Sequence, residues 1–166
     1  MFLGISAEAW AAIGSNIQAL VTTVLIAIGA WQVFAIKREN LKSRTLSACD
    51  RYDTDPIIDG SLREIRLLLK DPQSAENGLL KLPTTTVLNY LDSIAVGIEQ
   101  GLYIESLARD HLKAIVIKHT DDYLRDESVA RKIGLNPANF STLTAMATRW
   151  KIDPPAYRDG WKWRRK

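Results

Sequence analysis

The feature that most constrains this chain is an uncharged segment of 28 residues, 9–36, which ends at Lys37 and Arg38. A helix of that length measures about 42 Å and exceeds the roughly 30 Å of a bilayer's hydrocarbon core. Trp10 and Trp31 lie 21 positions apart, or about 32 Å along a helix, which is typical of the two aromatic belts of a membrane. The segment therefore predicts a single transmembrane helix.

Two other interpretations of this segment are a cleaved signal peptide and a buried core helix. A signal peptide begins with a basic region, whereas no Lys or Arg precedes Lys37. Apolar segments that become core helices usually measure about 10–14 residues. Both interpretations fit the segment less well than a membrane span does.

The flanking charges predict the orientation of the span. Residues 37–44 hold four basic side chains and one acidic side chain, a net +3, whereas Glu8 is the only charged side chain before the span. Basic flanks stay on the cytoplasmic side, so we expect the N-terminus outside a bacterial inner membrane and the C-terminal domain in the cytoplasm. The side chains expected at the membrane interface are Trp10, Trp31, Lys37, Arg38, Lys42 and Arg44.

Small and polar residues share one face of the predicted span. Their spacing of three or four places them on a single helical stripe; they are Ala12, Asn16, Ala19, Thr23, Ala27 and Ala30. Small residues let membrane helices approach closely, and Asn and Thr hydrogen-bond across such interfaces. The stripe predicts a homo-oligomer or docking on another membrane protein. The alternative is that alanine is simply common in such spans.

The remaining 130 residues suffice for one modest domain. Their apolar spacing is helical, so we predict an all-α fold: one N-terminal transmembrane helix and a small cytoplasmic bundle of about four helices. The predicted helices cover residues 61–70, 82–100, 104–123 and 137–150. The predicted organisation is a short N-terminus (1–8), the span (9–36), a basic helical extension (37–52), the bundle (53–152) and a basic, Trp-rich tail (153–166).

Several local signals define these helices. Gly101 predicts a helix C-terminus, and Asn136 followed by Pro137 predicts an N-cap with proline in the first helical position. We expect an inward-facing stripe on the second helix of the bundle and inward-facing side chains on the last helix. These side chains are Val87, Leu88, Leu91, Ile94, Ala95 and Ile98, and then Phe140, Leu143, Ala147 and Trp150. On the first helix, Leu62, Ile65, Leu68 and Leu69 have the spacing of an inward face.

Charge is concentrated near the two ends of the soluble part. Residues 149–166 carry seven basic and two acidic side chains, whereas residues 45–148 are acidic overall, which argues against a nucleic-acid-binding core. The tail alternates tryptophan with basic residues at Trp161, Trp163, Arg164 and Arg165. This composition suits a membrane surface, packing on the bundle or a protein partner, or single-stranded nucleic acid.

The sequence contains no recognisable catalytic, cofactor-binding or metal-binding motif. The single Cys49 excludes a CxxC pair and an intramolecular disulfide. His111 and His119 are eight residues apart, or about 12 Å along one helix, and we interpret them as ordinary side chains of a polar face. We therefore predict no catalytic residue, no cofactor and no metal ion. The alternative is a membrane-tethered enzyme that uses the carboxylates of an acidic helical hairpin, Asp92–Glu105.

The segment LNYLDSIAVGIEQGLY, residues 88–103, resembles a bacterial family of uncharacterised proteins. These proteins have one N-terminal membrane helix and a small cytoplasmic all-helical domain, and Arg44-Thr45-Leu46 and Arg149-Trp150 fit the resemblance too. It covers about residues 10–150 and implies no known activity. The positions that it singles out are Asn89, Tyr90, Asp92, Gly97 and Gly101. We expect structural roles for them: a close helix crossing at Gly97, a helix end at Gly101, and capping or pairing by Asp92 or Asn89.

These patterns together predict a non-enzymatic, membrane-anchored interaction or scaffolding module. It would serve as an accessory subunit of a membrane complex or as a component of a stress or phage response. The alternatives are the carboxylate enzyme described above and a protein that binds anionic lipid or nucleic acid through its tail.

Overall fold

Helical periodicity in the sequence produces helices throughout the part of the chain that the structure describes. The structure, a computed structural model, describes residues 7–70 and 78–152. Within these ranges there is no strand, which confirms the predicted all-α class. The helices are α1 (Ala7–Thr54), α2 (Pro56–Leu68), α3 (Lys81–Glu99), α4 (Glu105–Tyr123), α5 (Glu127–Ile133) and α6 (Ser141–Ile152), with a 3₁₀ helix (Pro137–Phe140) before α6.

The chain divides into two compact units, Met1–Asn40 and Leu41–Lys166. In the first unit α1 is long and apolar enough to cross a membrane, with a mean hydropathy of 2.1 in its most apolar stretch and none of that stretch buried. By length and composition, such a helix is compatible with a membrane span or with a signal sequence. Its exposed large side chains include Ile17, Leu20, Val24, Leu25, Ile28, Val33 and Phe34.

Helix α3 is central to the second unit, where it contacts α2, α4 and α6. The inward stripe predicted for α3 and the inward side chains predicted for the last helix are all buried, as the sequence predicts. Burial of apolar surface at about 25 cal/mol per Å² is the main stabilising contribution to such a core. Trp150 of α6 is 1% exposed and is the largest fully buried side chain among the described residues.

The predicted helix boundaries around α3 and α6 are confirmed. Gly101 follows the end of α3 with φ of +69°, in the left-handed region that glycine occupies without a steric cost. The Asn136 side chain accepts a hydrogen bond from the Ala138 backbone N–H at 3.1 Å, and Pro137 takes the first position of the 3₁₀ helix.

Helix α2 begins earlier than predicted, at Pro56 rather than at Ser61. The Asp55 carboxylate accepts a hydrogen bond from the Ile57 backbone N–H at 2.9 Å and forms the N-cap. The pair Asp55-Pro56 therefore starts a helix as well as ending the one before it. Leu69, predicted to face inward, is 60% exposed because it follows the last residue of α2.

Helix α5 was not predicted from the sequence. It has only seven residues, too few to show an apolar periodicity, but both of its ends carry local signals. The Asp126 carboxylate accepts a hydrogen bond from the Ser128 backbone N–H at 2.8 Å. Gly134 ends the helix with φ of +80°, as glycine does at many helix C-termini.

Candidate functional site at the end of helix α1

The last part of α1, residues 41–54, presents one buried face to the bundle. Thr45, Cys49 and Tyr52 are 1%, 4% and 7% exposed, whereas Leu46, Asp50 and Arg51 between them are exposed. The spacing of four and three residues places the buried side chains on one side of the helix. We call the contacts that this face makes with α3, α4 and the turn between them the α1 docking site.

Two hydrogen bonds to backbone atoms join α1 to α3 and to the start of α4 in the docking site. The Tyr90 hydroxyl of α3 donates to the Ala48 backbone carbonyl of α1. The Thr45 hydroxyl accepts from the Ile104 backbone N–H at 2.9 Å and donates to the Leu41 carbonyl at 2.7 Å. Ile104 is the N-cap residue of α4, so Thr45 satisfies a backbone donor that the helix itself leaves unpaired.

An aromatic cluster fills the docking site on the side of α4. The Tyr52 hydroxyl and His119 Nε2 share a hydrogen bond of 2.9 Å. The His119 ring stacks on Tyr123, with ring centroids 5.8 Å apart and an interplanar angle of 19°. Tyr90 lies on the other side of Tyr52, at a centroid distance of 6.4 Å. The expectation of a polar-face histidine is therefore wrong for His119, which is buried, whereas His111 is exposed.

Burial keeps the ionisable groups of the docking site neutral. Desolvation lowers the pKa of His119; Lys118 acts in the same direction and Asp122 opposes it. Desolvation raises the pKa of Tyr52 and of Tyr90 to about 12. The Cys49 thiol has its pKa raised to about 11, mainly by burial and then by Asp50. A thiol with so high a pKa is a packing group and not a nucleophile at neutral pH.

The family-like segment 88–103 supplies much of the docking site. Asn89 is exposed and Tyr90 binds α1. A Cβ atom added at Gly97 would lie 2.3 and 2.4 Å from two ring carbons of Tyr103. Because Gly97 has no side chain, the Tyr103 ring from the turn after α3 packs against it. The close contact expected at Gly97 is thus made by this ring and not by a crossing helix.

We expect Gly97→Ala to destabilise the bundle by about 1–3 kcal/mol, since the new methyl group must displace the Tyr103 ring. Gly60→Ala is the matched control. Gly60 also lies inside a helix, but a Cβ there meets nothing within 4 Å, so this change should stabilise by up to about 1 kcal/mol. Thermal unfolding of both variants, followed by near-UV circular dichroism, measures the two shifts. Shifts of the same sign would contradict the packing role of Gly97.

The carboxylates of the predicted acidic hairpin bind α6. Asp92 of α3 accepts a hydrogen bond from the Leu143 backbone N–H at 3.0 Å. Glu105 of α4 accepts from the Trp150 indole N–H at 2.9 Å and from Arg149 at 3.1 Å. Leu143 and Arg149 are separated by about 9 Å along α6, so the two carboxylates hold the helix at two different points. Glu99 is exposed.

An open cleft of about 570 Å³ lies beside Glu105 and is also lined by Ser106, Arg109 and Arg149. The Glu105 carboxylate at its edge already accepts hydrogen bonds from Arg149 and Trp150 of α6. Among residues 7–70 and 78–152, no group of three or more His, Cys, Asp or Glu side chains is arranged to hold a metal ion.

The remaining predicted site residues lie on the surface or outside the described residues. On the stripe of α1, Asn16, Ala19, Thr23, Ala27 and Ala30 are exposed, and the Thr23 hydroxyl donates to the Ala19 carbonyl at 2.9 Å. Of the interface residues, Trp10, Trp31, Lys37, Arg38 and Arg44 are exposed and Lys42 is half-buried. The side chain of Ala12 and the tail residues Trp161, Trp163, Arg164 and Arg165 lie outside what the structure describes.

Neither Tyr52 nor the buried role of His119 was predicted from the sequence. The spacing of Thr45, Cys49 and Tyr52 was the available signal, because it places a buried stripe on a helix that is otherwise basic and polar at this end. No sequence pattern links Tyr52 to His119, which lies 67 residues further along the chain.

Comparison with known proteins gives one family. Residues 19–150 match a domain of unknown function, DUF4760. No curated protein and no solved structure matches the chain. The match extends from within the uncharged segment of α1 to Trp150, and it includes the whole α1 docking site, so the chain belongs to the DUF4760 family.

Proposed function

We propose that this protein is a single-pass membrane protein whose helical domain acts as a non-enzymatic interaction module. The observation that carries the proposal is the uncovered apolar surface of α1. None of its most apolar stretch is buried, and its exposed Leu, Ile, Val, Phe and Trp side chains far exceed what a soluble monomer leaves in water. A lipid bilayer supplies the missing apolar environment.

The charges around α1 support an orientation with the N-terminus outside and the bundle in the cytoplasm. Lys37 and Arg38 are exposed at one end of the apolar stretch, with Lys42 and Arg44 shortly after them. A basic flank of this kind favours the cytoplasmic side. Trp10 and Trp31 would then occupy the two interfaces, a position that indole rings favour.

The bundle supports an interaction role because its polar side chains connect helices to one another. Tyr90, Thr45 and Tyr52 fix the end of α1, and Asp92 and Glu105 fix α6. These carboxylate, hydroxyl and imidazole groups, which acid–base chemistry would use, are thereby engaged in packing. The tyrosine hydroxyls and the His119 imidazole among them remain neutral at physiological pH, because burial raises the pKa of the tyrosines and lowers that of the histidine. The function would follow from what the domain binds and from where the anchor places it.

Self-association through the stripe of α1 is the second part of the proposal. Asn16 is exposed together with four small neighbours on the same face. An exposed amide in lipid has no hydrogen-bond partner unless another helix supplies one. A second copy of the chain would place its own Asn16 at the same depth in the bilayer as a hydrogen-bond partner. Docking on a different membrane protein would instead require a polar residue at that depth on a helix of the other protein.

We expect Asn16→Leu to weaken self-association about three- to thirtyfold, on the basis of about 0.6–2 kcal/mol for an interhelical hydrogen bond. Gln18→Leu is the matched control, because Gln18 carries the same amide on the opposite side of the helix. Native mass spectrometry of the full-length protein in detergent measures the distribution of species. An equal loss in both variants, or no loss with Asn16→Leu, would contradict a role for the stripe. A stoichiometric foreign subunit in the spectra would identify an accessory protein.

A further inference from the structure

A basic groove lies next to the α1 docking site. It is open, measures about 400 Å³, and lies between α1 and the turn that follows α3. Arg44, Ser47, Ala48 and Arg51 line it from α1, and Tyr103 lines it from the turn. None of the described residues that line the groove is acidic. Its polar groups are therefore two guanidinium groups and several hydroxyls.

Helix geometry explains why these side chains share the groove. Arg44, Ser47, Ala48 and Arg51 follow one another at spacings of three, one and three, which places them on one face of α1. The two arginines are about 10 Å apart along the helix. The small Ala48 side chain lies between them in the sequence, and the Ala48 carbonyl accepts a hydrogen bond from the Tyr90 hydroxyl.

The two arginines differ from other arginines of the bundle in lacking a carboxylate partner. Arg63 pairs with Asp59 at 2.8 Å and Arg131 pairs with Glu127 at 3.5 Å. Arg44 and Arg51 are exposed, and within residues 7–70 and 78–152 neither forms a salt bridge. Asp50 is adjacent to Arg51 in sequence but does not line the groove. Two guanidinium groups thus face one groove without a carboxylate partner among the described residues.

The opposite wall is held in a fixed position. The Tyr103 ring fills the space that Gly97 leaves without a side chain, and the nearby Ile104 N–H is bound to Thr45 of α1 at 2.9 Å. The groove is therefore built by the same contacts that dock α1. These packing contacts hold both walls, so little ordering of the backbone is needed on binding.

We propose that this groove binds a phosphate-bearing anion, held by the guanidinium groups of Arg44 and Arg51 and by the hydroxyls of Ser47 and Tyr103. Guanidinium groups form paired, charge-assisted hydrogen bonds to phosphate oxygens, and hydroxyls donate to the remaining ones. The phosphate belongs either to a membrane phospholipid or to a soluble molecule. The lipid source rests on the proposed membrane anchoring: Arg44 follows Lys37 by seven positions, a chain length that spans at most about 25 Å.

The test compares full-length wild-type protein with the double variant Arg44→Gln/Arg51→Gln in detergent micelles. Arg63→Gln/Arg131→Gln removes the same charge from exposed arginines elsewhere and is the control. Native mass spectrometry counts bound phosphatidylglycerol against phosphatidylcholine, and isothermal titration calorimetry measures inorganic phosphate against chloride at equal ionic strength. We expect the groove variant to lose at least about tenfold in affinity for one of the two anionic probes, with the control unchanged.

The two arms separate the sources of phosphate. A loss for phosphatidylglycerol alone identifies a lipid headgroup, and a loss for inorganic phosphate identifies a soluble ligand. Equal affinities of all three proteins for both probes would overturn the proposal. Alkaline extraction of membranes, carried out on the same variants, reports on anchoring independently. A chain that is released from membranes but still binds phosphate through the groove would refute the anchor and leave the groove proposal intact.

Discussion

Replacing Leu25 and Ile28 with arginine should release most of the chain from the membrane fraction. Both side chains are exposed, at 63% and 47%, in the middle of the apolar stretch of α1. An arginine at the centre of a membrane helix costs about 2.5–3.5 kcal/mol on insertion scales. The pair therefore opposes insertion by about 5–7 kcal/mol, enough to reverse the partition of a moderately hydrophobic span. Alkaline extraction of membranes followed by immunoblotting measures the distribution.

Leu25→Ala/Ile28→Ala is the control for this experiment. It shortens the same two side chains but keeps the helix uncharged, so the chain should remain in the membrane fraction. A reporter fused before residue 1 tests the signal-sequence alternative separately, since cleavage would separate the reporter from the bundle. Identical fractionation of the arginine and alanine variants would show that α1 does not depend on lipid.

The family match includes residues of both units of the chain. It begins at residue 19 and continues to residue 150, so it covers most of the apolar stretch of α1 together with α2 to α6.

The parts of the fold that the sequence predicted are those that local chemistry determines. The buried stripe of α3 repeats at helical spacing over about three turns, a pattern that is typical of an amphipathic helix. Gly101 and Asn136-Pro137 act through their own backbone geometry and their nearest neighbours. Asp55-Pro56 carries the same kind of signal, but it was interpreted only as the end of the preceding helix. The pair also starts α2, and for this reason the predicted first residue of α2 is five positions too late.

The candidate site was less predictable because its contacts join distant parts of the chain. The Asp92 carboxylate meets the Leu143 backbone across 51 residues, and Thr45 meets Ile104 across 59 residues. Composition and periodicity carry no information on such pairs. A buried histidine such as His119 also looks like a polar-face residue until its partner Tyr52 is placed beside it. The resemblance of residues 88–103 to a family marked the correct segment without indicating what it contacts.

Replacing Trp150 with alanine should destabilise the bundle by about 3–5 kcal/mol, the usual cost of deleting a buried tryptophan. Trp150 is 1% exposed, and its indole N–H donates to Glu105 at 2.9 Å. Its loss leaves a cavity between α4 and α6, which contact each other, and removes one of the bonds that hold α6. Natural domains are stable by only about 5–15 kcal/mol, so this single change removes a large part of the total.

Cys49 provides the measurement, because it is the only cysteine of the chain and is 4% exposed in the α1 docking site. Its thiol reacts with a labelling reagent only when the bundle opens, so its rate follows the population of open molecules. A loss of about 3–5 kcal/mol corresponds to an increase of roughly two to four orders of magnitude in that population. Trp31→Ala is the control, since Trp31 is 69% exposed in the first unit and should leave the rate unchanged. Equal labelling rates for wild type and Trp150→Ala would mean that the docking site opens independently of α6, and that Trp150 does not stabilise the part of the bundle that holds α1.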